Sequence, residues 1–259
     1  MSNAYRTKNS TGLINKNKKI NFSFNGHTYH GYEGDTLASA LISNGIHLIG
    51  RSFKYHRPRG FLGVGVEEPN AMVQLHEGNK SEPNIIATEV ELVEGLKAKS
   101  QNCWPSVQFD IGEVNNLLNR FFPAGFYYKT FMWPKSFWMK IYEPFIRKAA
   151  GMGVAPLQPD PDRYEHNYEH CDVLVVGSGP SGLASALAAA KNGARVILAE
   201  DKANFGGSLL TDEVTIGNMS GKEWANDTVA QLKSLPNVLL KKRSQVFGYY
   251  DHNMTVMIE

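Results

Sequence analysis

The spacing of hydrophobic and polar residues near the N-terminus predicts a β-hairpin. Lys19 to Phe24 alternates polar and apolar side chains, and His27 to Gly31 alternates again after Asn25-Gly26. Alternation with a period of two is typical of a strand with one buried face, and Asn-Gly is a strong signal for a two-residue hairpin turn. Residues 1–17 show no such period and are rich in Asn, Ser, Thr and Lys. We expect them to form a flexible arm.

A helix and further strands should follow the hairpin. Asp35 is a suitable N-cap for a helix over Thr36 to Ser43. Strand-like runs recur at Ala71 to Leu75 and at Ile85 to Leu92. Hairpin, helix, glycine-rich loop and strands follow one another in this order in a β-grasp domain. The pattern therefore predicts an α+β domain of the β-grasp type over residues 18–100.

Residues 101–170 read as an aromatic-rich connector that ends in a polar linker. Ile111 to Phe121 and Lys135 to Ala149 have amphipathic helical spacing, but Gly and Pro lie between them. Such a density of aromatic residues predicts a buried interface. In the linker, His166 and His170 lack the Cys and carboxylate neighbours of a metal site, so they are better explained as surface histidines.

A dinucleotide-binding fingerprint follows the linker. Val173 to Val176 is an apolar, β-branched run that predicts a strand buried on both faces, and Gly177, Gly179 and Gly182 come directly after it. In the G-x-G-x-x-G fingerprint the glycines permit a tight turn, a close approach of backbone to a pyrophosphate, and close packing of helix on strand. Ser181 to Lys191 predicts the helix whose N-terminal amides face the phosphates. The alternative is a structural glycine turn that binds nothing.

An acidic strand end completes the nucleotide pattern. Arg195 to Ala199 predicts a second strand, and Glu200 with Asp201 lies at its carboxyl end, about 20 residues past the glycines, where a carboxylate binds a ribose 2′-hydroxyl. A 2′-phosphate would be repelled there, so NAD or FAD is favoured over NADP. Lys202 beside the carboxylates either softens this repulsion or, more simply, is a solvated surface residue.

Residues 171–259 therefore predict the first half of an α/β Rossmann-type domain. A second glycine pair, Gly206-Gly207, precedes Ser208 and lets backbone pass close to a nucleotide. A helix over Lys222 to Leu235, a strand over Val238 to Leu240 and a hairpin around Asp251 to Asn253 follow. A doubly wound domain has two βαβαβ halves, so we expect this one to be truncated at its C-terminus.

Composition narrows the function classes. The 259 residues are 42% apolar with a net charge of +2, which predicts folded domains and gives no reason to expect a nucleic-acid partner. No run of 18 apolar residues and no secretory leader is present, which disfavours a membrane span or export. The only cysteines, Cys103 and Cys171, exclude a disulfide framework and favour the cytoplasm.

Two features of the β-grasp region bear on ligands. The segment from Ile20 to Ser100 looks like a ferredoxin-like module that carries a [2Fe-2S] cluster, but Gly45 to Glu77 contains no cysteine, so we expect no cluster. A basic group interleaved with aromatic residues either holds a phosphate or acidic partner or, more simply, forms solvated ion pairs; its members are Arg51, Lys54, Arg57 and Arg59.

Several motifs together resemble the N-terminal part of the α subunit of heterotetrameric sarcosine oxidase. They are GRSFKYHRPRG, GFYYKTFMWPKSFWMKIYEPFIRKAAGMG, PDPDRYEH, VVGSGPSG and VFGYYDHN. The resemblance implies oxidation of the N-methyl group of sarcosine to give glycine, hydrogen peroxide and either formaldehyde or methylenetetrahydrofolate. It also implies β, γ and δ partner subunits, FMN or FAD mainly on the β subunit, and tetrahydrofolate binding by a C-terminal domain absent from these residues.

The same resemblance implies that the nucleotide is NAD, with FAD as the alternative. It assigns Gly177, Gly179, Ser181 and Gly182 to the pyrophosphate, Glu200, Asp201 and Lys202 to the adenosine ribose, Ser208 to the glycine pair and Val246 to the adenine. Only the three glycines and Glu200 also follow from the residue pattern. We expect no catalytic residue and no metal ligand on this chain.

Two other functions stay open. The chain is alternatively an assembly module whose β-grasp domain and connector bind partner subunits around a structural nucleotide. It is alternatively an FAD-dependent oxidoreductase or amine dehydrogenase component with another substrate, since FAD uses the same glycine and acidic pattern.

Overall fold

The computed structural model describes residues 5–7, 12–121, 124–125, 129 and 131–259. The chain divides into two compact units, residues 1–163 and residues 164–259. Parts of the predicted arm and of the aromatic connector lie outside the described residues. No described helix is long and apolar enough to cross a lipid bilayer.

The first unit is built on a five-stranded mixed sheet with the strand order β2-β1-β7-β5-β6, in which β1 and β7 run parallel. Its elements are β1 (Asn15–Phe24), β2 (His27–Glu33), α1 (Leu37–Ser43), β3 (Gly50–Arg51), β4 (Pro58–Arg59), β5 (Met72–Leu75), β6 (Glu82–Ile86) and β7 (Leu96–Ser100). The predicted hairpin and helix are present. A β-grasp sheet with one helix results.

The alternation in β1 determines which face of the sheet is covered. Phe22 and Phe24 are each 2% exposed and pack with Leu37 and Leu41 of α1, which are fully buried. Each such side chain contributes about 1.5–3 kcal/mol through removal from water. The hairpin turn has φ of 52° at Asn25 and 80° at Gly26, both in the left-handed region that Asn and Gly tolerate.

The start of α1 differs from the prediction. Thr36, not Asp35, caps the helix: its hydroxyl accepts from the Ser39 amide at 3.1 Å, and the Ser39 hydroxyl accepts from the Thr36 amide. The Asp35 carboxylate instead accepts from Arg6, 2.6 Å away, in a contact that excludes most solvent from both side chains. Arg6 thereby ties the described part of the N-terminal arm to the domain.

The two helices predicted in the connector are broken into shorter pieces. The first becomes 3₁₀ turns at Ile111–Glu113 and Asn119–Phe121 around α2 (Val114–Leu117), and the second becomes a 3₁₀ turn at Lys135–Phe137, a π-helical segment at Trp138–Tyr142 and α3 (Glu143–Ala150). Between residues 111 and 163, every side chain that the structure describes is exposed or half-buried. The interface expected here is therefore not formed among the described residues of this unit.

The second unit contains a three-stranded parallel sheet in the order β12-β9-β8 with helices against it. Its elements are β8 (Val173–Val176), α4 (Pro180–Lys191), β9 (Val196–Ala199), a 3₁₀ turn (Gly207–Leu210), β10 (Thr215–Ile216), β11 (Met219–Ser220), α5 (Gly221–Ser234), β12 (Val238–Lys241), β13 (Gln245–Tyr250) and β14 (Met254–Ile258). Strands β13 and β14 form the predicted hairpin.

Strand β9 lies at the centre of this sheet and is buried along its whole length. Strand β8, which we expected to be buried on both faces, is only partly covered, and Val176 is 61% exposed. The reason is its position: among the described residues β8 has one neighbouring strand, β9. The core of the unit consists of β9 with Leu183 and Ala186 of α4 and Leu232 of α5.

Candidate functional site

The glycine turn between β8 and α4 has the geometry that the fingerprint predicts. Gly177 has φ of 89°, a conformation that side chains disfavour. A Cβ on Gly182 would lie only 2.0 Å from the carbonyl oxygen of Gly177, so α4 packs directly on the turn. A Cβ on Gly177 or Gly179 would meet no atom within 4 Å. The turn is therefore closed toward the helix and open on its other side.

The N-terminus of α4 is a site suited to an anion. Gly179 is its N-cap and provides no side-chain cap, and Pro180 occupies the first turn. No acceptor among the described residues receives the N–H groups of Ser181 and Gly182. Unpaired amides and the positive end of the helix dipole at this position favour a phosphate.

Glu200 is the buried carboxylate at this turn, and it is 5% exposed. Its Oε2 accepts from the backbone N–H of Ser178 at 2.8 Å and from the Ser178 hydroxyl, and its Oε1 accepts from the Lys202 amide at 3.1 Å. Together with the hydrogen bond between Glu200 and Asp201, these contacts match the about four hydrogen-bonding positions of a carboxylate. The carboxylate thus points toward the glycine turn.

Ser178 joins three segments of the site, and the sequence analysis did not single it out. It is fully buried, and both its hydroxyl and its carbonyl accept from the Gly206 amide, at 3.0 and 3.1 Å. Its hydroxyl also donates to Glu200. The sequence did contain a signal for this role. Ser178 is a small hydroxyl residue between the first two fingerprint glycines, and in a nucleotide fold that position lies close to the strand end that carries Glu200.

The second glycine pair lies against the first turn. Gly207 has φ of 52°, and a Cβ there would lie 2.9 Å from the Cα of Gly179. Gly206 has φ of 133°. The two glycine segments therefore touch backbone to backbone, which only residues without side chains allow, and Ser208 follows them as an exposed residue.

The remaining predicted ribose residues are exposed beside Glu200. Lys202 Nζ lies 3.2 Å from an Asp201 carboxylate oxygen. Burial disfavours the charged form of Asp201, but a hydrogen bond with Glu200 and the charge of Lys202 bring the pKa of its carboxyl below the ordinary value. Lys202 is thus engaged with a carboxylate.

Val246 follows the loop that connects β12 to the hairpin. The amide of Ser244, two residues before it, donates to the Glu200 carbonyl at 2.8 Å, and the Arg243 amide donates to the Lys202 carbonyl at 3.1 Å. The start of β13 is thus bonded to the acidic strand end. The structure brings the glycine turn, Glu200 and Gly206-Gly207 into direct contact. It connects Val246 to them through the backbone of Arg243 and Ser244.

A second buried carboxylate lies in the loop that precedes β5 of the first unit. Glu68 is 2% exposed. Its Oε2 accepts from the amides of Leu62 and Gly63, each at 2.6 Å, and its Oε1 accepts from those of Asn70 and Ala71 at 2.7 and 3.2 Å. Burial alone would raise the pKa of the Glu68 carboxyl, but these four amides bring it below its ordinary value.

The described contacts of the basic residues in the first unit are with other groups of the same unit. Arg51 is buried and donates to the carbonyls of Val107 and His56, at 2.9 and 3.1 Å, and to Glu113 at 3.1 Å. Lys54 and Arg57 lie over the ring of Tyr55, at 4.9 and 4.7 Å from its centroid. Arg51 therefore serves the fold, which favours the simpler explanation of local pairing.

Two family models match the chain, one in each unit. A model described as "2Fe-2S iron-sulfur cluster binding domain" matches residues 17–103, and one described as "FAD dependent oxidoreductase" matches residues 172–235. Cys103 is the one cysteine within the first match, and burial raises the pKa of its thiol. The described residues contain no group of His, Cys, Asp and Glu arranged to hold a metal ion.

Curated relatives match nearly the whole chain. It is 54% identical over 248 residues to sarcosine oxidase subunit alpha of Rhizobium meliloti, which is 96% of this chain and 25% of the relative. The chain is a homologue of the sarcosine oxidase α subunit. The homologue is also 30% identical over 244 residues to the Corynebacterium sp. (strain U-96) α subunit, covering 93% of this chain and 20% of that relative. It thus spans about a quarter or less of the length of these relatives.

A solved structure shares the fold of the homologue. L-proline dehydrogenase from P. horikoshii superposes with a TM-score of 0.54 at 18% sequence identity, over 95% of this chain and 38% of that chain. At this identity the likeness concerns the fold alone. The predicted order, a ferredoxin-like domain followed by a Rossmann-type region, is confirmed by the two family models and this neighbour.

Proposed function

We propose that this homologue is the nucleotide-binding part of a sarcosine oxidase α subunit, in a heterotetramer with β, γ and δ subunits in the cytoplasm. The observation that carries the proposal is the 54% identity, over 96% of the chain, to a protein named sarcosine oxidase subunit alpha. The complete enzyme would oxidise the N-methyl group of sarcosine with oxygen and tetrahydrofolate. The tetrahydrofolate site would lie outside these residues.

The proposed ligand of the second unit is NAD. The free amides of Ser181 and Gly182 at the N-terminus of α4 would hold its diphosphate, and the open side of Gly177 and Gly179 leaves room for it. Glu200 would contact a ribose hydroxyl. Further contacts are proposed for the exposed residues around this centre: Asp201 and Lys202 at the ribose, Ser208 beside the glycine pair, and Val246 at the adenine.

Selection against a phosphorylated ribose would come from charge. Glu200 and Asp201 are adjacent carboxyl groups, and the pKa of Asp201 lies below its ordinary value. A 2′-phosphate would therefore face like charges. Lys202 offsets this repulsion only in part, because it already contacts Asp201 at 3.2 Å.

We assign no catalytic group to this chain. NAD, when bound, supplies a hydride-accepting ring, whereas the described residues of the site bind and orient rather than transfer protons. The oxidation of the amine would take place at a flavin on the β subunit or at its interface with α. The residues 18–100 would be a β-grasp domain without a cluster, since Glu68 already occupies the amides of its loop and one cysteine cannot replace four.

FAD is the second candidate ligand. The family model that covers residues 172–235 is described as FAD dependent oxidoreductase, and NAD and FAD share the diphosphate and adenosine that this geometry fits. In that case the chain is a component of a flavin-dependent amine oxidoreductase, or the nucleotide is structural and the chain serves assembly.

Mass spectrometry of the nucleotide released from the purified complex tests the assignment. Release of one NAD per α subunit is the expected result, and release of FAD in its place would establish the second candidate. Absence of any dinucleotide would refute both. Sarcosine is then added anaerobically: reduction of the bound NAD, seen at 340 nm, would show a redox role, and an unchanged absorbance would show a structural one. Sarcosine turnover by the same complex tests the substrate.

A further inference from the structure

An open cleft in the first unit is lined by both the β-grasp domain and the connector. Its volume is about 800 Å³. Gln74 and Ser100 line it from the β-grasp domain, and Lys148 lines it from the connector. His56 and Asp110 belong to the same lining. The volume falls within the range of small-molecule sites, about 300–1,000 Å³.

His56 and Asp110 form a buried pair at this cleft. His56 is 8% exposed and Asp110 is 6% exposed, and the imidazole Nδ1 lies 2.6 Å from Asp110 Oδ2. The other carboxylate oxygen accepts from the amides of Trp104 and Gly112, at 3.0 and 3.1 Å. Backbone amides thus hold Asp110 in place. Because a carboxylate accepts, Asp110 fixes Nδ1 of His56 as a donor.

The second ring nitrogen of His56 has no protein partner in the described part of the chain. No described residue forms a hydrogen bond with Nε2, and the side chain keeps 11% of its surface exposed. In a neutral imidazole whose Nδ1 carries the proton, Nε2 is an acceptor. The ring is fixed by close packing, since a Cβ on Gly112 would lie 2.3 Å from Nδ1. An acceptor with the Asp110 carboxylate behind it favours a cationic donor, such as an ammonium group.

The connector contributes cations to the same cleft. Arg147 and Lys148 both line it. Arg147 is paired with Glu143 at 2.9 Å, whereas no carboxylate among the described residues pairs with the exposed Lys148. Asp110 is the one acidic side chain in the described lining, and its oxygens already accept from His56 and two amides. Lys148 is therefore available to an anionic group.

We propose that this cleft binds a small amino acid, with the ammonium group at His56 and the carboxylate at Lys148. A ligand with both charges satisfies the acceptor and the cation together, whereas a simple anion leaves Nε2 unpaired and a simple amine leaves Lys148 unpaired. Trp104 and Met152 provide apolar wall for a side chain or an N-methyl group. The choice of sarcosine or glycine within this class rests on the proposed function.

Hydrogen exchange of the complete enzyme, with glycine as the probe, tests the place of binding. Glycine lacks the N-methyl group that the proposed reaction oxidises, so it binds without turnover. Peptides that span residues 51–60 and 101–115 should gain protection at millimolar glycine. Acetate and methylammonium each lack one of the two charges and should give no protection at the same concentration. Equal protection by acetate would overturn the proposal. So would peptides that are protected without glycine and unchanged by it, because another segment would then fill the cleft.

Two substitutions test the chemistry of the cleft. Lys148→Gln should raise the glycine concentration for half-maximal protection at least roughly tenfold, because a hydrogen bond between charged groups is lost. His56→Asn should have a similar effect: asparagine tolerates the φ of 53° at this position and can donate to Asp110, but it lacks Nε2. Lys140→Gln, at an exposed position outside the lining, is the matched control and should respond like the parent. An unchanged response in Lys148→Gln would refute the proposal even if His56→Asn does not fold.

Nucleotide content and sarcosine turnover are measured in the same samples, because they separate this proposal from the proposed function. Normal nucleotide content and turnover without protection by glycine would contradict the cleft alone. Protection by glycine in a complex that holds no dinucleotide and does not oxidise sarcosine would contradict the proposed function and leave the amino acid site in place.

Discussion

Replacing Glu68 with glutamine tests whether one buried carboxylate organises the loop of the β-grasp domain. In the parent its two oxygens accept four backbone amides at distances between 2.6 and 3.2 Å. Glutamine has one oxygen and one NH₂ group. Its oxygen can accept from two of these amides, but its NH₂ group is a donor and faces the other two amides. Two buried donors are left without an acceptor, at a cost of about 1–3 kcal/mol each.

The variant should therefore lose about 2–6 kcal/mol of local stability. Hydrogen exchange of the peptide that spans residues 61–72 is the appropriate assay, because it reports the opening of this loop separately from the rest of the chain. At about 1.4 kcal/mol per factor of ten, exchange should accelerate by at least roughly 30-fold. Glu67→Gln, at the exposed neighbouring position, is the matched control and should exchange like the parent.

The pH dependence gives a second test of the same carboxylate. The folded pKa of Glu68 lies below its unfolded value because the amides outweigh the effect of burial. The stabilisation of the loop by the Glu68 carboxylate is therefore complete above about pH 4.3, and it is lost as the pH falls through the folded pKa. Protection of the loop, corrected for the intrinsic exchange rate, should fall in acid for the parent and stay flat for Glu68→Gln. Parallel curves would refute the reasoning.

Three substitutions test the nucleotide site by the amount of dinucleotide retained after dialysis of the complex. Gly182→Ala should abolish retention and lower the melting temperature, because its Cβ would lie 2.0 Å from the Gly177 oxygen and force α4 from β8; normal melting would contradict this packing. Ser178→Ala should reduce affinity roughly tenfold with the fold retained, since about 1.4 kcal/mol follows from leaving the Gly206 amide and Glu200 less well paired. Glu200→Ala should weaken retention as well, and undiminished occupancy would argue against its ribose contact.

The elements that sequence predicted well are those whose signals are local. The alternation of β1 and the Asn25-Gly26 turn need only neighbouring residues, and the first hairpin follows from them. The glycine turn and α4 are likewise specified within a few residues, by a φ that favours glycine and by the close contact at Gly182. Both units could be recognised for this reason.

What sequence missed depends on partners far along the chain. Asp35 looked like a helix cap, but Arg6, 29 positions away, takes its carboxylate, and Thr36 caps α1. Ser178 acts through Gly206, which lies 28 positions away. The burial predicted for the connector stays a prediction, because aromatic density indicates burial without showing which part of the protein provides it. In the described part of the first unit no other element supplies that cover.

The two buried carboxylates support different proposals for the two units. Glu68 and Glu200 each accept backbone amides from a turn that contains glycine. In the first unit Glu68 accepts from four backbone amides of its loop, so these four donors are already paired with a carboxylate. In the second unit Glu200 accepts from the amide of Ser178. The amides of Ser181 and Gly182, at the N-terminus of α4, have no acceptor among the described residues. This difference supports the proposal that a diphosphate binds at the second turn, where the buried carboxylate fixes the turn rather than filling it.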